Sequence, residues 1–263
     1  MSFELGLKIL LALYVVVALA MTLTSGHGLD PAAIERASKS FPVIATSLVM
    51  TAIGFIAGPV GLALLTKRPV AETIGLRPRP HPGLLVLAPI GTLALGPTSD
   101  RIVQLAERFI PTWTFGALAQ IDEIAARYPT LLLLPFLALC PGFGEEIVFR
   151  GFIQRWIGRG ALAVVVSGLA FAMIHVDPHH VLGVVPLGLY LAWVADRADS
   201  TWPTIVAHVT NNAVAVIAVK SVGASATPEH ATDVMLASGL GVCVATMFAI
   251  TALTRGVSAE SRP

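Results

Sequence analysis

Apolar residues in this chain come in long runs, and polar residues gather between those runs or stand singly inside them. A helix that crosses a bilayer needs about 20 predominantly apolar residues. By that measure about eight stretches qualify: 7–23, 43–65, 84–95, 131–149, 162–174, 181–195, 205–219 and 235–253. The third, fifth and sixth are shorter than the rest. The pattern predicts an all-α, polytopic integral membrane protein, a bundle of about eight transmembrane helices. The first stretch has a second reading as a cleaved signal peptide, because Lys8 precedes an apolar run that ends in small residues.

Composition agrees with the pattern. Charged residues make up 13% of the 263 positions, against about 25% in a soluble domain, and the mean hydropathy is +0.79. A net charge of +1, with no basic run and no stacking-aromatic pattern, excludes nucleic acid as an expected partner. Cys140 and Cys243 both fall in apolar runs and read as small buried hydrophobes rather than a disulfide framework. With eight spans, Lys8, Lys67, Arg68, Arg77, Arg79, Arg150, Arg155, Arg159, Arg197, Arg255 and Arg262 share one side, and the other six of the 17 Lys and Arg residues share the opposite side. The positive-inside rule then places both termini in the cytoplasm.

The chain reads as one membrane domain. Within it, 1–128 hold the N-terminal helices and an amphipathic polar segment, 129–221 the core carrying the candidate chemistry, and 222–263 the last helix and a short tail. The loop 67–82, with its "RPRPHPG", is too polar for lipid. Segment 100–128 is the longest polar stretch, and its "QLAERF" and "QIDEIAARY" have the spacing of amphipathic helices lying along the interface.

Candidate chemistry lies where lipid makes polar groups costly. An ionisable side chain at mid-membrane costs about 2.5–3.5 kcal/mol on insertion scales. Near the end of the fourth stretch, Glu146 and Arg150 are four apart and share a helical face, which predicts an ion pair. Glu145 points about 100° away from Glu146 and stands as a carboxylate in an apolar wall, suited to act as a general base. A snorkelling pair at a helix end is the alternative. In the fifth stretch, Phe171 and His175 are four apart, so ring and imidazole pack together, although a lone His at a span end is commonly interfacial. His175, Asp177, His179 and His180 suggest a zinc site as an alternative, but Pro178 breaks the helix that would align His175 with His179. In the seventh stretch, His208 and Asn212 lie one turn apart with Thr210 and Asn211 close by; interhelical hydrogen bonding is the plainer explanation. Together these groups suffice to hydrolyse an amide. A carboxylate and an imidazole activate water, and the other imidazole and an amide donate to the oxyanion. Neither Ser nor Cys is evidently paired with a base, which disfavours a covalent route.

The order and spacing of Glu145-Glu146-x-x-x-Arg150, Phe171-x-x-x-His175 and His208-x-x-x-Asn212 resemble the CPBP family. These are the CAAX-protease and bacteriocin-processing intramembrane endopeptidases, also called the ABI family. The flanking "EEIVFRGFIQRWIG" and "ADRADSTWPTIVAHVTNN" are similar too, and the likeness covers 131–219, about a third of the chain. It implies about eight helices around a cavity open to the cytoplasm. Glu145 would be the base for water, assisted by His175; Arg150 would support the glutamate pair, with Glu146 close by; His208 and Asn212 would stabilise the oxyanion. The family's glutamate-dependent, metal-independent mechanism implies no cofactor, and the absence of an HExxH agrees. The implied partners are the bilayer and a membrane-associated peptide or protein, with lipid-modified substrates as one class. Loops rich in Ala, Gly and Arg suggest a bacterial inner membrane.

Two other functions fit a polar intramembrane cluster: a non-catalytic immunity or scaffold protein, and a transporter using Glu145 and the histidines as a proton relay. Inverted repeats with broken helices would favour the transporter, and the sequence shows none. One geometric demand follows from the topology. Entering near Leu162, the chain carries His175 about 20 Å deep, whereas His208 lies about one or two turns in. For the two to meet, the fifth span must be short, tilted, or begin outside the lipid.

Overall fold

The computed structural model describes residues 40–111, 124–125, 127–222 and 231–255. These residues form helices and no strand. They are α1 (Phe41–Leu65), α2 (Val70–Thr73), α3 (Leu84–Ala94), α4 (Gly96–Ala106), α5 (Thr130–Ile157), α6 (Ala161–Met173), α7 (Pro178–Ala198), α8 (Trp202–Val222) and α9 (Asp233–Thr254). Among them α1, α5, α7, α8 and α9 are long and apolar enough to cross a membrane. The chain is an integral membrane protein of all-α class. The stretch at 7–23 lies outside the described residues. The stretches at 84–95 and 162–174 form shorter helices of 11 and 13 residues.

Burial separates the centre from the rim. Half of the most apolar window of α7 is buried, against 22% for α1 and for α9. The outer helices instead turn large apolar side chains outward, among them Leu65, Leu131, Leu162, Val234 and Phe248, as contact with lipid rather than water allows. One core packs α3, α7, α8 and α9 around Leu84, Tyr190, Leu191, Ala207 and Ile250. Another joins the start of α1 to α5 and α8 through Phe41, Leu133, Leu137 and Val216.

Segment 84–106 bends at Leu95, where Pro97 cannot donate to the helix ladder. Thr98 N instead bonds back to Leu95 O at 3.0 Å. Beyond the bend, α4 packs on α7 and α9. Its polar residues have partners in the fold. Asp100 Oδ2 accepts from Ala231 N at 2.7 Å, and Arg101 pairs with Asp233 at 2.7 Å, so the two charges clamp the start of α9. The "QIDEIAARY" part falls largely outside the described residues.

The polar loop 67–82 folds under the ends of α5 and α8. Thr201 N donates to Gly75 O at 2.8 Å, and Trp202 Nε1 donates to Leu76 O at 3.2 Å. Gly75 adopts φ +73°, a conformation L side chains rarely hold.

Helices α5 and α7 run parallel. Arg150 Nη2 reaches Gly188 O at 2.9 Å, and one turn later Gln154 Nε2 reaches Ala192 O at 2.7 Å. Helix α6 crosses between them at the glycine pair Gly168 and Gly188. A Cβ on Gly188 would stand 2.6 Å from Gly168 O. Overpacking of this kind costs about 1–3 kcal/mol, so Gly188→Ala is expected to lower the thermal midpoint in detergent. Gly96→Ala, whose Cβ meets nothing within 4 Å, is expected to leave it unchanged or raise it.

Candidate active site

Helix α5 is not uniform. Its backbone widens to i→i+5 turns over Pro135–Leu139 and again over Ile147–Gln154, a deviation frequent at functional sites. Pro135 and Pro141 each remove a ladder donor in the segment that leads to the glutamates. The second widened turn starts immediately after Glu146 and carries Arg150 against α7.

Four ionisable side chains converge there. Arg150 Nη1 donates to Glu146 Oε1 at 2.8 Å, the ion pair that the four-residue spacing predicts, and both side chains are fully buried. His208 of α8 brings Nδ1 to the same Glu146 oxygen at 2.9 Å. Its other nitrogen, Nε2, faces Glu145 Oε2 at 3.9 Å. The imidazole therefore stands between two adjacent carboxylates, hydrogen-bonded to one and just beyond hydrogen-bond reach of the other. Glu145 Oε2 and Glu146 Oε2 are buried without a hydrogen-bond partner among the described residues. Nδ1 can meet the Glu146 carboxylate only as a donor, which fixes the ring orientation.

Phe171 organises the second imidazole. Its ring stacks under the Arg150 guanidinium, with Cζ 4.2 Å from the ring centroid, a cation–π arrangement. The same ring lies 5.3 Å from His175 and 5.4 Å from His208, edge-on to both. His175 and His208 thus flank one phenyl ring. His208 lies six residues after the start of α8, about 9 Å along its axis, and α6 reaches the same ring over about 20 Å; the two histidines meet on Phe171. His175 Nδ1 faces Phe171 O at 3.1 Å and Ala172 O at 3.3 Å. Carbonyls only accept, so Nδ1 carries the proton and Nε2 the lone pair of the neutral ring. The chain turns sharply after His175: Val176 takes φ +63°, unusual for a β-branched residue, and Asp177 caps α7 by accepting from His179 N.

Asn212 lies one turn beyond His208 on α8. Its Oδ1 accepts from Asn211 Nδ2 at 3.4 Å, which turns its own Nδ2 into the free donor. Asn212 is not among the groups hydrogen-bonded to the glutamate pair.

Of the cluster His175, Asp177, His179 and His180, it is His180 that comes against His175. Their rings are 4.4 Å apart, because Pro178 starts a new helix and the pairing skips His179. Sequence reasoning missed Gln154, whose i,i+4 spacing from Arg150 is the signal that both grip α7. Among the described residues, no group of three His, Cys, Asp or Glu is arranged to hold a metal ion.

Fold and site together define a membrane-helical protein with a cluster of ionisable side chains inside its bundle. Residues 127–214 match the family model described as type II CAAX prenyl endopeptidase Rce1-like. That segment, a third of the chain, contains all three motifs, and the match is consistent with the CPBP and CAAX-protease resemblance. No curated protein and no solved structure matches the chain.

Removing one partner of a buried ion pair leaves an uncompensated charge and costs about 3–5 kcal/mol. Arg150→Met is expected to lose that much in a denaturant titration of the micelle-embedded protein. Replacing Glu146 by Gln in the same chain is expected to restore most of the loss.

Proposed function

We propose that the chain is an intramembrane endopeptidase of the glutamic type, hydrolysing a peptide bond of a membrane-associated peptide or protein near its C-terminus. The observation that carries this reading is the unequal pair of carboxylates around His208. Glu146 is occupied by Arg150 and His208 Nδ1, whereas Glu145 keeps an unpartnered oxygen facing Nε2.

A water about 2.8 Å from both Glu145 Oε2 and His208 Nε2 fits beside a 3.9 Å gap. Glu145 takes a proton from that water as its oxygen bonds to the scissile carbonyl carbon, and the carbonyl electrons move onto oxygen. With both nitrogens protonated, His208 donates Nδ1–H to Glu146 and Nε2–H to the oxyanion; the Asn212 amide is the second donor. As the tetrahedral species collapses, the C–N bond breaks and Glu145 returns its proton to the leaving nitrogen. His175, with its Nε2 lone pair free, assists by accepting from the water. No cofactor is needed for these steps. Arg150 acts at a distance by holding Glu146, and through it the ring of His208.

The matched family's description names prenyl CAAX substrates, so a farnesylated C-terminal peptide belongs beside unmodified ones in any assay. In proteoliposomes carrying such a panel, the wild-type chain is expected to cleave at least one peptide. Glu145→Ala is expected to lower the rate by about 10²–10⁴, His208→Ala by roughly 10²–10³, and EDTA to leave it unchanged. Wild-type silence across a broad panel, or full activity in Glu145→Ala, contradicts the reading. Inhibition by EDTA that zinc specifically reverses puts a metal into the reaction.

A further inference from the structure

A cleft of about 550 Å³, lined by neither glutamate, opens where the end of α1, the α2 turn and the last turns of α5 meet. That volume lies in the range of small-ligand pockets, about 300–1,000 Å³. It stands where an apolar helix gives way to polar chain. The span of α1 ends at Leu65, Lys67 and Arg68 follow, and α5 ends in Arg155 and Trp156. Arg and Trp in this arrangement mark the level of the lipid headgroups.

The lining is divided. Leu62, Phe152 and Trp156 provide the apolar part of the lining, and the rim is polar. Arg68 is the free cation of the rim, because Arg155 is already paired with Asp199 at 2.8 Å. Glu72 is a free anion on the facing turn. Neither Arg68 nor Glu72 has an ion-pair partner among the described residues, although both are exposed. The two rim hydroxyls have spent their protons: Thr66 Oγ1 donates to Leu62 O at 2.7 Å and Thr73 Oγ1 to Pro69 O at 3.0 Å. Their oxygens can therefore only accept. The rim offers one cationic donor beside a carboxylate and two hydroxyl acceptors.

We infer that this cleft binds the headgroup of a zwitterionic phospholipid with a primary ammonium, phosphatidylethanolamine. The phosphate meets Arg68, and the ammonium donates to Glu72 and to the oxygens of Thr73 and Thr66. One acyl chain lies on Leu62, Phe152 and Trp156. The chemistry discriminates. A choline headgroup carries the same charges but has no N–H to give the acceptors, and a glycerol headgroup brings a net negative charge against Glu72 without a cation to satisfy it.

The test is native mass spectrometry of the delipidated full chain in mild detergent, titrated with palmitoyl-oleoyl phosphatidylethanolamine, phosphatidylcholine and phosphatidylglycerol in turn. The wild type is expected to retain the ethanolamine lipid about fivefold better than either of the others, the scale of a single exposed ion pair. Glu72→Gln is expected to bring ethanolamine retention down to the choline level while leaving choline unchanged. Arg68→Gln is expected to weaken retention of all three. Both positions are exposed, so the variants keep the fold, and an unchanged elution volume confirms it. Equal retention of the three lipids overturns the inference. So does an ethanolamine preference that survives Glu72→Gln, or a glycerol preference lost with Arg68, which would mark simple attraction of anions.

Discussion

A guanidinium buried inside a membrane bundle is the constraint around which the rest of this structure is arranged. Arg150 is 1% exposed and remains charged at any physiological pH, so its surroundings must supply what water would. Glu146 supplies the counter-charge, Gly188 a carbonyl and Phe171 an aromatic face. Each demand shapes its neighbourhood. Reaching the Gly188 carbonyl requires α7 close to α5, and α6 fits beside them only because Gly168 and Gly188 leave their backbones in contact. The Phe171 ring beneath the guanidinium is the same ring that His175 and His208 flank. Packing that satisfies one charge therefore also fixes the relative positions of three polar side chains.

The two glutamates are adjacent in sequence and have unlike environments. One carboxylate is consumed by the structure. The other faces the imidazole at 3.9 Å, beyond hydrogen-bond reach. A helix of uniform pitch would separate the two by about 100°; the widened turn that begins after Glu146 sets Arg150 against α7 while leaving both carboxylates on His208. The nitrogen that bonds Glu146 and the nitrogen that faces Glu145 belong to one ring, so the anchored carboxylate positions the group that serves the free one.

Much of this was legible in the sequence, and the illegible part has identifiable causes. Runs of apolar residues marked α1, α5, α7, α8 and α9, because length alone separates a crossing helix from a buried one. Four-residue spacing gave the Glu146–Arg150 pair and the Phe171–His175 contact, since both lie within single helices. The link from His208 to Glu146 joins residues 62 apart, and no local rule encodes it. The partners of the polar residues of α4 were hidden for a related reason. An amphipathic pattern reports that one face is polar, but it does not say whether water or the start of α9 receives that face. The cluster of histidines after His175 was visible, but Pro178 restarts the helix and makes His180 the ring that packs on His175. His175 and His208 meet on the Phe171 ring although their helices bring them there over unequal lengths, about 20 Å of α6 and about 9 Å of α8, a match between helices that no single segment encodes.

The proposed mechanism divides the labour, with Glu146 holding the architecture and Glu145 serving the chemistry. The most direct test measures folded stability and single-turnover peptide cleavage on the same preparations of Glu145→Gln and Glu146→Gln. Glu145→Gln is expected to be as stable as wild type and without cleavage, and Glu146→Gln to lose activity in step with its loss of folded material. A fully folded but inactive Glu146→Gln, beside an active Glu145→Gln, would reverse the two roles and contradict the mechanism.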